Sequence, residues 1–267
     1  MCCLRLRAAF VACLSVACLI ANNSVPAGTF RVSPVRLDIG AFAKSGVLTI
    51  QNDSTETAVV IQARTVKWTQ RDGQDVTVPT NELIVNPPIF TLKPGAQQVV
   101  RIGARAAGLT TDINNEIAYR LILGEVPQSP SANFRGVDVA LSISIPIFFA
   151  GKVIAMNLAP PQINARRDAG GKITVEVLNR GSTNFKILKV RLLDRVTQQP
   201  VAELDELRYV LADSFATRAF KPLPKTDYTL SVLSDRGAYT LDINDATPAA
   251  LPGLRSPISD AKAPEKN

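Results

Sequence analysis

Between Gly136 and Phe149 the chain alternates with a period of two: Val137, Val139, Leu141, Ile143, Ile145 and Ile147 are aliphatic, with Asp138, Ala140, Ser142, Ser144 and Pro146 between them. That period places the aliphatics on one face of a β-strand. Fully extended, the stretch would run roughly 40 Å, about twice the usual strand length. Proline has no N–H to give a ladder, so Pro146 points to a sheet edge or a strand end. A long apolar edge is an aggregation hazard unless another chain is meant to pair with it.

Shorter runs of the same character precede it: Thr29–Ile39, Gly46–Asn52, Ala58–Trp68, Ile89–Leu92, Gln97–Ile102 and Ala118–Glu125. Turn residues separate them at Lys44-Ser45-Gly46, Asn52-Asp53-Ser54, Arg71-Asp72-Gly73 and Lys93-Pro94-Gly95. Further runs follow at Ile173–Leu178, Ile187–Leu193, Tyr209–Leu211, Thr217–Phe220, Tyr228–Leu233 and Ala238–Ile243. Short strands spaced by turns, with no amphipathic helix, predict an all-β chain of two immunoglobulin-like β-sandwich domains. The first is expected over residues 28–150 and the second over 151–245, with 246–267 a disordered tail. Trp68 is the single tryptophan and is expected as a packing residue.

The amino terminus has a different pattern. Arg5 and Arg7 precede an apolar run from Ala8 to Ala21, and Val25-Pro26-Ala27 offers small residues at a cleavage site. Residues 1–27 read as a secretory signal, with Ala21 the rival cleavage point. The run is too short for a comfortable membrane span, so the chain is expected to be exported and not membrane-embedded. All four cysteines lie in this segment, which leaves the mature chain without a disulfide.

Composition removes several classes of chemistry. Histidine is absent, which excludes Ser-His-Asp and Cys-His catalysis and the usual zinc sites. Asp205 and Glu206 are sequence neighbours, so on a strand they face opposite ways and make no glycosidase pair. The formal charge of +7 falls by two when Arg5 and Arg7 leave with the signal, and the remainder is scattered. A nucleic-acid interface would want a basic stripe with interleaved aromatics. No catalytic residue, cofactor, metal or nucleic-acid partner is expected.

A longer motif then becomes specific. Asn86 to Arg101 (NPPIFTLKPGAQQVVR), followed by Asn115-Glu116-Ile117-Ala118-Tyr119-Arg120 and Gly124-Glu125-Val126-Pro127, resembles the signature of PapD-like periplasmic pilus chaperones. The resemblance covers the whole mature chain and is stronger in the first domain. It implies a boomerang of two domains, pilus or fimbrial subunits as partners, and delivery to an outer-membrane usher. It also implies two binding features. Ser33-Pro34-Val35-Arg36-Leu37-Asp38-Ile39 fits the family's first strand, whose arginine, here Arg36, grips the C-terminal carboxylate of a subunit. A guanidinium suits this task, being always charged and matched to a carboxylate in a bidentate pair. The long strand then lends alternate aliphatics, expected at Val137, Val139, Leu141, Ile143 and Ile145, to a subunit lacking its last strand. Four such side chains at ~1.5–3 kcal/mol each would outweigh one charge-assisted contact of similar size.

The chain departs from the family at one point. Pro146 occupies the position of a second cationic ligand, a lysine, and Ala150 that of the next arginine. Arg36 would act with backbone donors alone, or with Lys152 or Arg120. Ser144-Ile145-Pro146-Ile147-Phe148 resembles the divergent branch that serves spore-coat-U-like subunits. Arg101 and Glu116 are expected to form a buried structural ion pair. Residues 124–135 are expected as a loop, with Phe134 covering the core or extending the zipper by one pocket. Self-association through the edge strand is open for the free protein. The alternatives are a pilus subunit or adhesin, which the cysteine-free mature chain disfavours, and an exported enzyme or carbohydrate-binding module.

Overall fold

The computed structural model describes residues 30–40, 43–105, 115–127, 139–150, 159–224 and 226–243. The expected signal segment, Phe134, Val137, Lys152 and the expected tail lie outside the described residues. Every regular element among the described residues is a strand.

The first ten strands are β1 (Phe30–Ser33), β2 (Leu37–Ile39), β3 (Ser45–Asn52), β4 (Val59–Arg71), β5 (Gln74–Pro79), β6 (Leu83–Asn86), β7 (Ile89–Leu92), β8 (Gln97–Ala104), β9 (Ile117–Glu125) and β10 (Ser142–Phe149). They form a four-stranded sheet, β1-β3-β8-β6, and a second sheet, β2-β10-β9-β4-β5, with β7 also paired to β4. Leu48, Ile50, Val100 and Ile102 from one sheet meet Ile61, Leu121, Leu123 and Ile147 from the other. The inward faces interdigitate, as a sandwich requires.

The remaining strands are β11 (Gln162–Arg167), β12 (Ile173–Leu178), β13 (Phe185–Asp194), β14 (Pro200–Val210), β15 (Phe215–Ala219), β16 (Tyr228–Ser234) and β17 (Gly237–Ile243). They build sheets β11-β12-β15 and β14-β13-β16-β17 around a second core containing Val175, Phe185, Leu192 and Leu230. The chain is all-β, with two immunoglobulin-like sandwiches.

Three elements differ from expectation. The single run expected over Thr29–Ile39 is two strands in different sheets. β1 pairs antiparallel with β3, and β2 pairs parallel with β10. Pro34, which cannot donate to a ladder, sits where the chain crosses between sheets. β5 is almost wholly exposed, and β6 is four residues long with only Leu83 buried, so neither shows the extended alternation that announces a strand. The long strand is shorter than its pattern. Pairing starts at Ser142 opposite Gly124, because β9 ends at Glu125 and offers no partner further upstream.

The two sandwiches touch through the β4–β5 hairpin. Gln70 donates from Nε2 to the Tyr209 carbonyl at 2.8 Å and accepts from the Leu211 N–H at 2.9 Å. Arg208 donates to the Gly73 carbonyl at the hairpin tip. Trp68, Ala118, Phe148 and Leu211 form a small third cluster at this junction. Trp68 is thus a packing residue, but of the domain junction and not of either core.

Candidate subunit-binding cleft

Arg36 is brought to the junction by the sheet crossing. β2 runs parallel to β10 with Leu37 opposite Ile147, and continuing that register by one residue sets Arg36 beside Pro146. Its guanidinium stacks over the Phe148 ring, 4.5 Å from the centroid, and lies 5.4 Å from that of Tyr209. Nε donates to both oxygens of Asp38, at 2.9 and 2.7 Å, and Nη2 donates to Asp38 Oδ1 at 2.7 Å. Nη1 reaches across the junction to Asn184 Oδ1 at 3.3 Å. Asn184 in turn donates from its backbone N–H and from Nδ2 to Glu116 Oε1, at 3.1 and 2.6 Å. Arg36, Asp38, Glu116, Phe148, Thr183 and Asn184 line a cleft of about 270 Å3.

The charges respond to this setting. Burial works against the Arg36 cation, but the hydrogen bonds and charge of Asp38, with Tyr209 adding to them, outweigh it and raise the pKa further. Burial pushes the Glu116 carboxyl above the ordinary carboxylate range, although Asn184 and Arg36 favour its ionised form. The cleft therefore holds one firmly charged guanidinium, one carboxylate on it, and one acid reluctant to ionise.

Arg120 lies directly across the ladder from Pro146. Its guanidinium is 3.8 Å from the centre of the Trp68 ring, with Asp75 at 3.6 Å and Ser144 Oγ at 3.3 Å. Lys186 brings a further ammonium to 5.3 Å from the Tyr209 ring. Of the two cations considered in place of the missing lysine, Arg120 is thus already engaged, and Lys152 lies outside the described residues.

The second feature is the edge of β10. The Leu141 carbonyl accepts from the Glu125 N–H, and the Ala150 N–H donates to the Ile39 carbonyl. Backbone groups of odd-numbered residues therefore face β9, and those of even-numbered residues face outward. β2 covers the outer edge only from Ile147 to Phe149. Among the described residues no strand pairs with the outer edge of residues 142–146. Pro146 faces that open edge, where its missing N–H breaks no bond to β9.

The expected aliphatic zipper divides along the strand. Val139 is 77% exposed, while Leu141 and Ile143 are partly buried against the core rim. Ile145 is 1% exposed and packs wholly within its own domain. It is therefore not at a partner's disposal, because by that point the odd-numbered face has entered the sandwich. Val137 lies outside the described residues.

The expected ion pair between Arg101 and Glu116 does not form. Arg101 lies between buried Val100 and Ile102 on β8, so it faces outward, where Nη1 reaches Ser45 Oγ at 3.4 Å. Glu116 belongs to the opposite sheet's side and is bound to Asn184 of the second domain. The alternation around Arg101 carried the signal of its exposure. Asp38, Asn184, Tyr209 and Lys186 were not singled out in the sequence, and only Asp38, two residues from Arg36, had a local signal.

Residues 29–154 match the family described as pili and flagellar-assembly chaperone, PapD N-terminal domain, so the first domain is similar to that of PapD-like chaperones. No curated protein matches the chain in sequence. A chain from the CsuC–CsuE chaperone–tip adhesion subunit pre-assembly complex of archaic chaperone-usher Csu pili of Acinetobacter baumannii is similar in fold. The TM-score is 0.59 at 22% identity, with 81% of this chain and 99% of that one covered. A chain from the Salmonella enterica SafA pilin–SafB chaperone complex gives a TM-score of 0.54 at 16% identity, covering 83% and 98%. The E. coli chaperone DraB gives 0.51 at 16% identity, covering 81% and 96%.

Proposed function

We propose that this protein is a periplasmic chaperone that binds pilus subunits by donor-strand complementation and hands them to an outer-membrane usher. One observation carries the reading: among the described residues the outer edge of residues 142–146 has no partner strand, and it lies beside Arg36, which is held in the domain cleft. An extended partner strand laid on that edge would take main-chain bonds from the even-numbered residues. Leu141 and Ile143, with Val139 upstream, would then supply the apolar contacts, and Arg36 would take the partner's C-terminal carboxylate and set the register. Neither step needs a nucleotide or covalent chemistry. Release follows when a better donor strand replaces this one. The fold likeness to the Csu pre-assembly complex, together with proline at the second cation's place, supports the divergent branch that serves spore-coat-U-like subunits.

The test is periplasmic co-expression with the pilin-like products of neighbouring genes, comparing wild type with Arg36→Ala in a pull-down. Co-purification by wild type and its loss or sharp weakening in the variant is the expected result. Failure of wild type to retain any such subunit would overturn the reading.

A further inference from the structure

Resting on that reading, we propose that Asp38 is a built-in competitor for the incoming carboxylate and sets how readily the cleft accepts one. A carboxylate is gripped most firmly through two parallel N–H bonds from one guanidinium. In Arg36 the Nε and Nη2 pair is already used in this way, on both oxygens of Asp38. Nη1 is turned to Asn184, and the ring of Phe148 lies against the guanidinium face. The free protein thus presents an arginine whose best fork is filled by its own chain.

Asp38 is suited to leaving. Its side chain is 59% exposed and, among the described residues, its side-chain hydrogen bonds are all to Arg36, so it can swing into water without breaking another of these contacts. Arg36 and Asp38 are two apart across a strand start, so both project to the same face. A ligand carboxylate that displaces Asp38 exchanges one charged pair for another, which by itself gives little net affinity. One that does not displace it approaches the Arg36 cation with Asp38 and Glu116 flanking it. In either case a lone carboxylate gains little. A carboxylate carried on a strand already laid along β10 arrives at high effective concentration and wins the exchange. Asp38 is therefore a selectivity residue: it lets Arg36 engage a chain end that comes with a strand, and not chain ends in general.

The test uses a probe too small to reach the β10 edge. N-acetylvaline and its amide are titrated into the full mature chain, following the Arg36 Nε–H resonance by NMR. Wild type is compared with Asp38→Asn and Asp38→Ala, with melting curves to show that each is folded. Both variants are expected to bind the carboxylate form about tenfold more tightly than wild type, with no change for the amide, and Arg36→Ala in either background is expected to remove the gain. Equal or weaker carboxylate binding by both variants would overturn the proposal and make Asp38 a group that positions Arg36. Absence of carboxylate-dependent binding in every form would overturn it as well. The chaperone reading stands or falls separately, on subunit co-purification.

Discussion

Asn52 and Asn179 do the same work in two different sandwiches. Each is completely buried at the end of a strand, β3 in one domain and β12 in the other. Asn52 donates from Nδ2 to the carbonyls of Thr57 and Leu92 and accepts from the Ser54 N–H. Asn179 donates to the carbonyls of Thr183, Val210 and Leu211 and accepts from the Gly181 N–H. Both satisfy backbone groups that a turn would otherwise leave orphaned in the core. The domains diverge in what surrounds that latch. In the first, it lies opposite Phe30, at the end of β1 away from the crossing that carries Arg36 to β10. In the second, the latch holds Leu211, whose N–H and side chain meet Gln70 and Trp68 of the first domain. The comparison teaches that the repeated part is structural, and that the candidate binding cleft is assembled from what each domain adds at the junction.

The largest expected effect separates the two halves of β10. Ile145→Ala removes a fully buried side chain and should lower first-domain stability by about 2–5 kcal/mol, read by urea unfolding. Ile143→Ala, at the rim, should cost less stability yet weaken subunit co-purification. Equal stability losses would erase the division of the strand proposed above.

Next come the paired latches. Asn52→Ala and Asn179→Ala should each cost about 1–3 kcal/mol through carbonyls left without donors. Only Asn179→Ala should also increase proteolysis at the domain junction. If Asn52→Ala loosened the junction as much, the contrast between the domains would fail.

A smaller effect is expected at the hairpin tip. Gly73 has a φ of +70°, and an added Cβ would lie 3.0 Å from Thr217 Oγ1 and 3.2 Å from the Thr217 backbone nitrogen. Gly73→Ala should cost about 1 kcal/mol or somewhat more and shift the angle between domains, measurable by small-angle scattering. An unchanged scattering curve and melting point would show that the tip does not set that angle.

The smallest effect concerns Glu116. Burial raises its pKa in the folded state, so the folded protein binds more protons than the unfolded chain as pH rises from the ordinary carboxylate range through the raised value. Its contribution to stability is therefore present at low pH and lost across that window. Glu116→Gln keeps an oxygen for Asn184 and should remove this fall. Unfolding curves collected across that pH window would check it; an unchanged pH profile in the variant would contradict the assignment.

Much of this was legible in the chain itself. Alternation marked β10, and the exposure of Arg101 could have been read from Val100 and Ile102 on either side. The motif from Asn86 to Pro127 carried the family, and through it the candidate role of Arg36. What alternation cannot report is where a paired strand stops, since that depends on a partner's length: β10 begins where β9 has run out.

The sequence by itself determined the two sandwiches, the absence of histidine, a proline at position 146 where the resemblance implies a cation, and the arginine set sixteen residues before Asn52. Period-two burial and fixed residue chemistry are local properties, readable one strand at a time. Only the tertiary structure decided that Glu116 meets Asn184 and not Arg101, that Asp38 fills the fork of Arg36, and that Ile145 belongs to its own core. Those outcomes depend on which sheet each strand joins and on how the second domain meets the first, because a charge selects its partner by distance in space and not by position along the chain.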